Sequence, residues 1–132
     1  MVFKWLDRRI AAPGPYLTLV FSQGEFDAAL KRLKVPAGAG YLSTEQADAT
    51  THIVTSPRSG IAAVVALGPS SGRSPIEVAG LLVHEAVHIW QHYCDWIGGR
   101  DPGDEQEAYA VQAISQELMA EYSRRVTKGT LP

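Results

Sequence analysis

The sequence predicts a small α+β domain: about three short strands, antiparallel or mixed, packed on one long helix and a C-terminal helix. Three observations carry this expectation. Runs of aromatic and β-branched residues stand at Tyr16 to Phe21, Thr51 to Thr55 and Ile61 to Leu67. An apolar run from Ile76 to Ile97 is opened by Ser74-Pro75 and closed by Gly98-Gly99, which is helical length with helical punctuation. The chain has 132 residues with 45% apolar content, enough for a single core and too little for two, so residues 1–132 are expected to form one domain.

Taken in order, Met1 to Ala12 mix aromatic and charged residues and stop at Pro13-Gly14-Pro15; they carry no clear element. After the first strand, Ser22 as N-cap with Glu25 three residues on forms a capping box. It opens a helix with Phe26, Leu30 and Leu33 on one side, ending before Pro36. Ala37 to Ala49 shows no sustained period and is read as a loop, with room for a short strand at Tyr41-Leu42. The next two strands flank Ser56-Pro57-Arg58-Ser59-Gly60 and should form a hairpin. Ile61 to Leu67 has no polar alternation, so both its faces should be covered, one of them by the long helix. That helix starts at Ser74-Pro75-Ile76-Glu77, which combines an N-cap serine, proline at the first helical position and glutamate at the third. Val78, Leu82, Trp90, Tyr93 and Trp96 surround its histidine face, which is therefore expected to be largely buried. A last helix, from about Pro102 to Arg125, closes the domain.

Charge and cysteine content narrow the function. The formal net charge of −2 lacks the basic excess that nucleic-acid backbones demand, and the basic clusters Lys4 to Arg9, Lys31 to Lys34 and Arg124 to Lys128 read as solvated faces. Polar residues interrupt the longest apolar run, and no secretory signal is visible, so neither a membrane span nor export is expected. Cys94 is the only cysteine, which fits a reducing compartment and a cytoplasmic location.

The chemistry centres on His84-Glu85-Ala86-Val87-His88 inside the long helix. Residues four apart lie one above the other, so His84 and His88 can supply two nitrogens to a zinc ion, with Glu85 beside them as a base. A third protein ligand would leave one position of a tetrahedral site open for water. With four histidines in the chain, chance produces this motif in under about 1% of such sequences.

Candidates for the third ligand are His92, Cys94, Asp95, Asp101, Asp104, Glu105 and Glu107. At about 100° per residue, Glu107 falls in phase with Val111, Ile114 and Leu118, the apolar stripe of the last helix, whereas Glu105 points nearly opposite. A carboxylate on a buried stripe needs a partner, and a zinc ion would be one. Asp104 is the reserve ligand, although the first turn suits it better for capping. His92 is rotated some 80° from His84, and Asp95, three turns beyond His84, fits a capping or outer-shell role. Cys94 stands ten residues after His84, where the metzincin pattern has its third histidine. That pattern needs a glycine where this chain has Gln91, so Cys94 is expected to be a small packed residue.

These residues resemble the gluzincins, zinc peptidases that join His-Glu-x-x-His on one helix to a glutamate on a following helix. The match is to His84 through His88 and to Glu107-Ala108-Tyr109-Ala110, with 18 residues between His88 and Glu107. The chain looks most like the minimal domains of that group. Through Leu82 to Gln91 and Glu107 to Gln112 it also resembles metallopeptidases inferred in phages and prophages, and this second resemblance extends over most of the chain. The resemblance implies zinc held by His84, His88 and Glu107, Glu85 as general base, a peptide or protein substrate paired along the strand Ile61 to Leu67, and the bacterial host cytoplasm for a phage-encoded protein. Two family features lack a counterpart. Val111 stands where larger gluzincins often have an aspartate that orients a histidine, leaving Gln106 or Asp95 for that task. The oxyanion-stabilising residue is also unassigned, with Tyr16, Tyr41, His52 and Arg58 as unranked choices. The alternative implied by the phage likeness is a zinc site that serves structure or partner binding without catalysis.

Overall fold

The computed structural model describes residue 3 and residues 16–36, 38–56, 60–69, 72–98 and 103–131. Their element order is β1 (Tyr16–Val20), α1 (Gln23–Arg32), β2 (Ala49–Ser56), β3 (Gly60–Leu67), α2 (Pro75–Trp96) and α3 (Asp104–Thr127). The fold is the expected α+β arrangement, with a three-stranded mixed sheet in the order β1-β3-β2. β1 runs parallel to β3, with Thr18 opposite Val64, and β2 pairs antiparallel with β3, with Thr51 opposite Val65.

β3 is central because its side chains are apolar on both faces. Ile61, Ala63, Val65 and Leu67 join one core with Leu17, Leu19, Leu82, Ile89, Ile114 and Leu118, on the side of α2 and α3. Ala62, Val64 and Ala66 join a second core with Val20, Phe26 and Leu30, on the side of α1. A strand covered on both faces needs no polar alternation, which is what its sequence shows. Its position also corrects one expectation. β3 is paired on both sides, so it has no free edge along which a substrate could pair; among the described residues the outer edges belong to β1 and β2.

The helix starts follow the chemistry of their caps. The Ser22 hydroxyl accepts the Glu25 N–H at 3.2 Å, but the Glu25 carboxylate accepts the Phe21 N–H at 3.3 Å rather than completing a box on Ser22. At α2 both halves of the box form: the Ser74 hydroxyl accepts the Glu77 N–H at 3.1 Å, and the Glu77 carboxylate accepts the Ser74 N–H at 2.9 Å. Tyr41 and Leu42 form no strand. The loop there is held by side chains, with Gln23 accepting the Tyr41 N–H and donating to the Ala39 carbonyl.

Within the basic cluster at the end of α3, Lys128 is exposed as expected, but Arg125 departs from the reading as a solvated face. Arg125 is fully buried and clasps Glu25 with two hydrogen bonds of 2.9 and 2.7 Å, while also donating to the Thr130 hydroxyl and carbonyl. Its guanidinium lies over the Phe21 ring, 4.4 Å from the centroid. Lys31, Arg32 and Lys34 are exposed as expected, and Lys4 to Arg9 lie outside the described residues.

Candidate metal centre

α2 buries one side and presents the other. Val78, Leu82, Glu85, Ala86, Ile89, Trp90 and Tyr93 form the buried side. At 3.6 residues per turn His84 stands about 160° around the axis from Leu82. His84 and His88 are therefore exposed, which corrects the expectation that the histidine face is buried: Val78, Leu82, Trp90 and Tyr93 lie on the buried side of the helix, while the exposed Val83 and Val87 adjoin the histidines.

On that exposed side the two imidazoles converge. Their Nε2 atoms are 3.1 Å apart and the rings meet edge to face, with centroids 4.8 Å apart. Two nitrogens bound to one tetrahedral zinc at about 2.05 Å stand about 3.3 Å apart, so the pair is close to the spacing of two ligands of a single ion. Without an ion, the same contact is a hydrogen bond when one ring carries its proton on Nε2.

Glu85 completes the cluster from the buried side. His84, Glu85 and His88 each offer a ligand atom within 4.8 Å of the others, and Glu85 Oε2 is 3.9 Å from His84 Nε2. The side chain of His84 is 68% exposed and that of Glu85 only 6%. The other carboxylate oxygen, Oε1, accepts the Thr51 hydroxyl of β2 at 3.2 Å. Among the described residues this is the only hydrogen bond to Glu85. A buried carboxylate with a single neutral donor is short of partners, and a dication beside it would supply one. The residues present thus fit a divalent metal by spacing and by charge.

β2 is held in place by its own alternation. Ala49 and Ile53 pack into the core shared with α2, and Thr51 lies between them on the same face. At the far end of the hairpin, a Cβ on Gly60 would stand 3.7 Å from the Trp96 ring of α2. His52 and Tyr41 are on the other side of the sheet. The His52 ring packs on Phe26 at 4.4 Å, its Nε2 meets the Tyr41 carbonyl at 2.7 Å, and Tyr41 packs on the α1-side core. Neither faces Glu85, so both leave the set of oxyanion candidates. The Tyr16 side chain and Arg58 lie outside the described residues.

Of the other predicted residues, His92, Asp95, Asp104, Glu105 and Gln106 are exposed, and Asp101 lies outside the described set. Cys94 is half-buried against the core, and burial, followed by the negative charges of Glu107 and Asp95, pushes its thiol pKa up, consistent with a packed residue. Glu107 is in line with Ile114 and Leu118 but exposed, because the buried stripe of α3 begins only at Ala110. Being exposed, Glu107 needs no partner to offset burial. Glu107 is not among the side chains that converge with His84 and His88; it influences Cys94, about 9 Å along α2 from His88. Its carboxylate makes no hydrogen bond or ion pair among the described residues.

Sequence reasoning missed Thr51. Alternation along Thr51-His52-Ile53 separates Thr51 from His52 by face, but the register of β2 against α2 is set by tertiary packing that no local pattern encodes.

No protein-family model, curated protein or solved structure matches the chain.

Proposed function

We propose that the chain is a zinc-dependent peptidase in which His84, His88 and Glu107 hold the metal and Glu85 is the general base. The observation that carries this reading is the convergence of two exposed imidazole nitrogens 3.1 Å apart over a buried carboxylate with one neutral donor. Zinc held by these residues would supply a lowered pKa, near 7, for a water and polarisation of a carbonyl. Glu85 takes the proton of the attacking water and hands it to the departing amine, and its burial keeps bulk water from competing for that proton. The exposure of the histidines supports catalysis over structure, since structural zinc sites are closed by four protein ligands. The substrate backbone is assigned to the outer edge of β2, the edge strand that touches Glu85 through Thr51. Glu107 is unrestrained on the first turn of α3 and is the third ligand in this reading, brought in as the metal binds. No described helix is long and apolar enough to cross a membrane. The lone Cys94 and the formal net charge of −2 support a cytoplasmic protein that acts on peptides rather than nucleic acid.

The test is hydrolysis of a quenched-fluorescent peptide mixture by zinc-loaded protein, beside Glu85→Gln. The variant should retain zinc and lose at least about 100-fold in rate. Equal rates in the two proteins would refute the mechanism. Glu107→Ala should lose zinc, whereas full retention would return the third ligand to Asp104 or Glu105.

A second reading keeps the metal without catalysis, as a structural or partner-binding site. The absence of Glu107 from the cluster among the described residues favours it, because a partner could supply the further ligand to the exposed pair. It requires zinc uptake with no hydrolysis in any peptide mixture, and for a site completed by a second copy of the chain zinc would also raise the sedimenting mass.

A further inference from the structure

Glu85 is 5% exposed, and its only described hydrogen bond comes from the neighbouring strand rather than from its own helix. The Thr51 hydroxyl holds Oε1 at 3.2 Å, while Oε2 is left 3.9 Å from His84 Nε2, on the side of the histidine pair. With one oxygen engaged, the carboxylate cannot turn about its last torsion without giving up that bond, so the other oxygen stays aimed at the place where a proton must be taken up. From this geometry we infer that Thr51 is a positioning residue, which aims the general base and couples it to the edge strand β2. The inference rests on the peptidase reading of the centre.

The strand is suited to the task. Thr51 is β-branched, which leaves its hydroxyl few rotamers. Its place along β2 is fixed by pairing with Val65 and by Ala49 and Ile53, which pack into the core on either side of it. The donor is neutral, so it orients Glu85 without adding a charge that would compete with a cation at the histidines. A substrate lying on the β2 edge would press on the same strand that holds the base, so substrate placement and base orientation are linked through one residue.

Thr51→Val, Thr51→Ser and Glu85→Gln separate this role from simple satisfaction of a buried oxygen. Zinc affinity is measured by competition with a chromophoric chelator. Acetohydroxamate serves as the second probe, because it chelates zinc as an anion after its proton is passed to a nearby carboxylate, and its affinity therefore reads where the free oxygen of Glu85 points. Thr51→Val is expected to bind zinc as the wild type does, to bind acetohydroxamate about 10-fold more weakly, and to lower kcat by about 10- to 100-fold at unchanged KM on the peptide mixture. Thr51→Ser, which keeps the hydroxyl, should restore both. A residue that only satisfied a buried atom would change unfolding and leave the probe untouched.

If Glu85→Gln weakens acetohydroxamate and Thr51→Val does not, the base is positioned without Thr51 and the inference is overturned while the peptidase reading stands. If the wild type takes up no zinc, or Glu85→Gln leaves acetohydroxamate binding unchanged, the peptidase reading fails and the role of Thr51 fails with it.

Discussion

Glu25 and Glu85 are both buried carboxylates in the first half of a helix, yet they are compensated in opposite ways. Glu25 receives two charged hydrogen bonds from Arg125 and one from the Phe21 backbone, and the guanidinium is itself completed by Thr130 and the face of Phe21. Glu85 receives one hydroxyl from Thr51 and otherwise faces two imidazoles on the solvent side. The first carboxylate has its full complement of partners and ties α1 to the end of α3. Among the described residues the second has no permanently charged partner, only His84 Nε2 at 3.9 Å, and its neighbours are the side chains that could bring a metal ion. A buried group that the fold has satisfied is a structural element; one left short of partners beside metal-binding nitrogens is where a ligand fits.

The comparison can be broken at several points. Removing one partner of the satisfied pair should have the largest effect. Arg125→Ala is expected to cost about 3–5 kcal/mol in urea unfolding, because it strands a buried carboxylate. A cost under about 1 kcal/mol would show that Glu25 is not held as described. Glutamine should then act with opposite signs at the two sites in chelator-treated protein. Glu25→Gln loses stability by weakening the Arg125 clasp, whereas Glu85→Gln removes an undercompensated charge and gains about 1 kcal/mol. Paired denaturation curves shifted in the same direction would contradict the distinction.

A third carboxylate, exposed Glu77, calibrates the scale. The Ser74 N–H and then the Ser74 hydroxyl hold its carboxyl below its usual value of 4.5. Because the folded pKa is lowered, this stabilisation is complete above about pH 4.5 and is lost as pH falls through the lower folded value. Loss of the cap in Ser74→Ala should cost about 1 kcal/mol at neutral pH. The difference between the two proteins should narrow only slightly in acid, since alanine keeps the N–H that is the larger cause of the lowered pKa, and a difference that grew from pH 7 to pH 3 would exclude the capping box as its source. The smallest effect is expected at the exposed pair: His84→Ala should change metal-free stability by no more than about 0.5 kcal/mol. A larger loss would mean that the histidines are structural.

Much of the fold was legible from local signals. The β-branched runs gave the three strands, and Ser74-Pro75-Ile76-Glu77 gave the start of α2, since caps and strand patterns act over a few residues. The unbroken apolar run of Ile61 to Leu67 announced a strand covered on both faces, but not that it would lie between β1 and β2 and lose its free edge. Glu25 read as a capping residue and Arg125 as part of a solvated cluster because their partnership spans 100 residues of sequence. The histidine pair followed from spacing alone. Its exposure did not, because the side of α2 that is buried is decided by the sheet and α3 together. Glu107 was in phase with the apolar stripe as expected, but phase does not say where burial begins along a helix, and α3 starts its buried face one turn later.

The most direct test of the metal centre is zinc binding to metal-free protein by chelator competition, with His84→Ala and His88→Ala alongside. One zinc per chain in the wild type, with affinity lowered at least about 100-fold in each variant, is the predicted result. No zinc uptake by the wild type, or uptake that both substitutions leave unchanged, would contradict it.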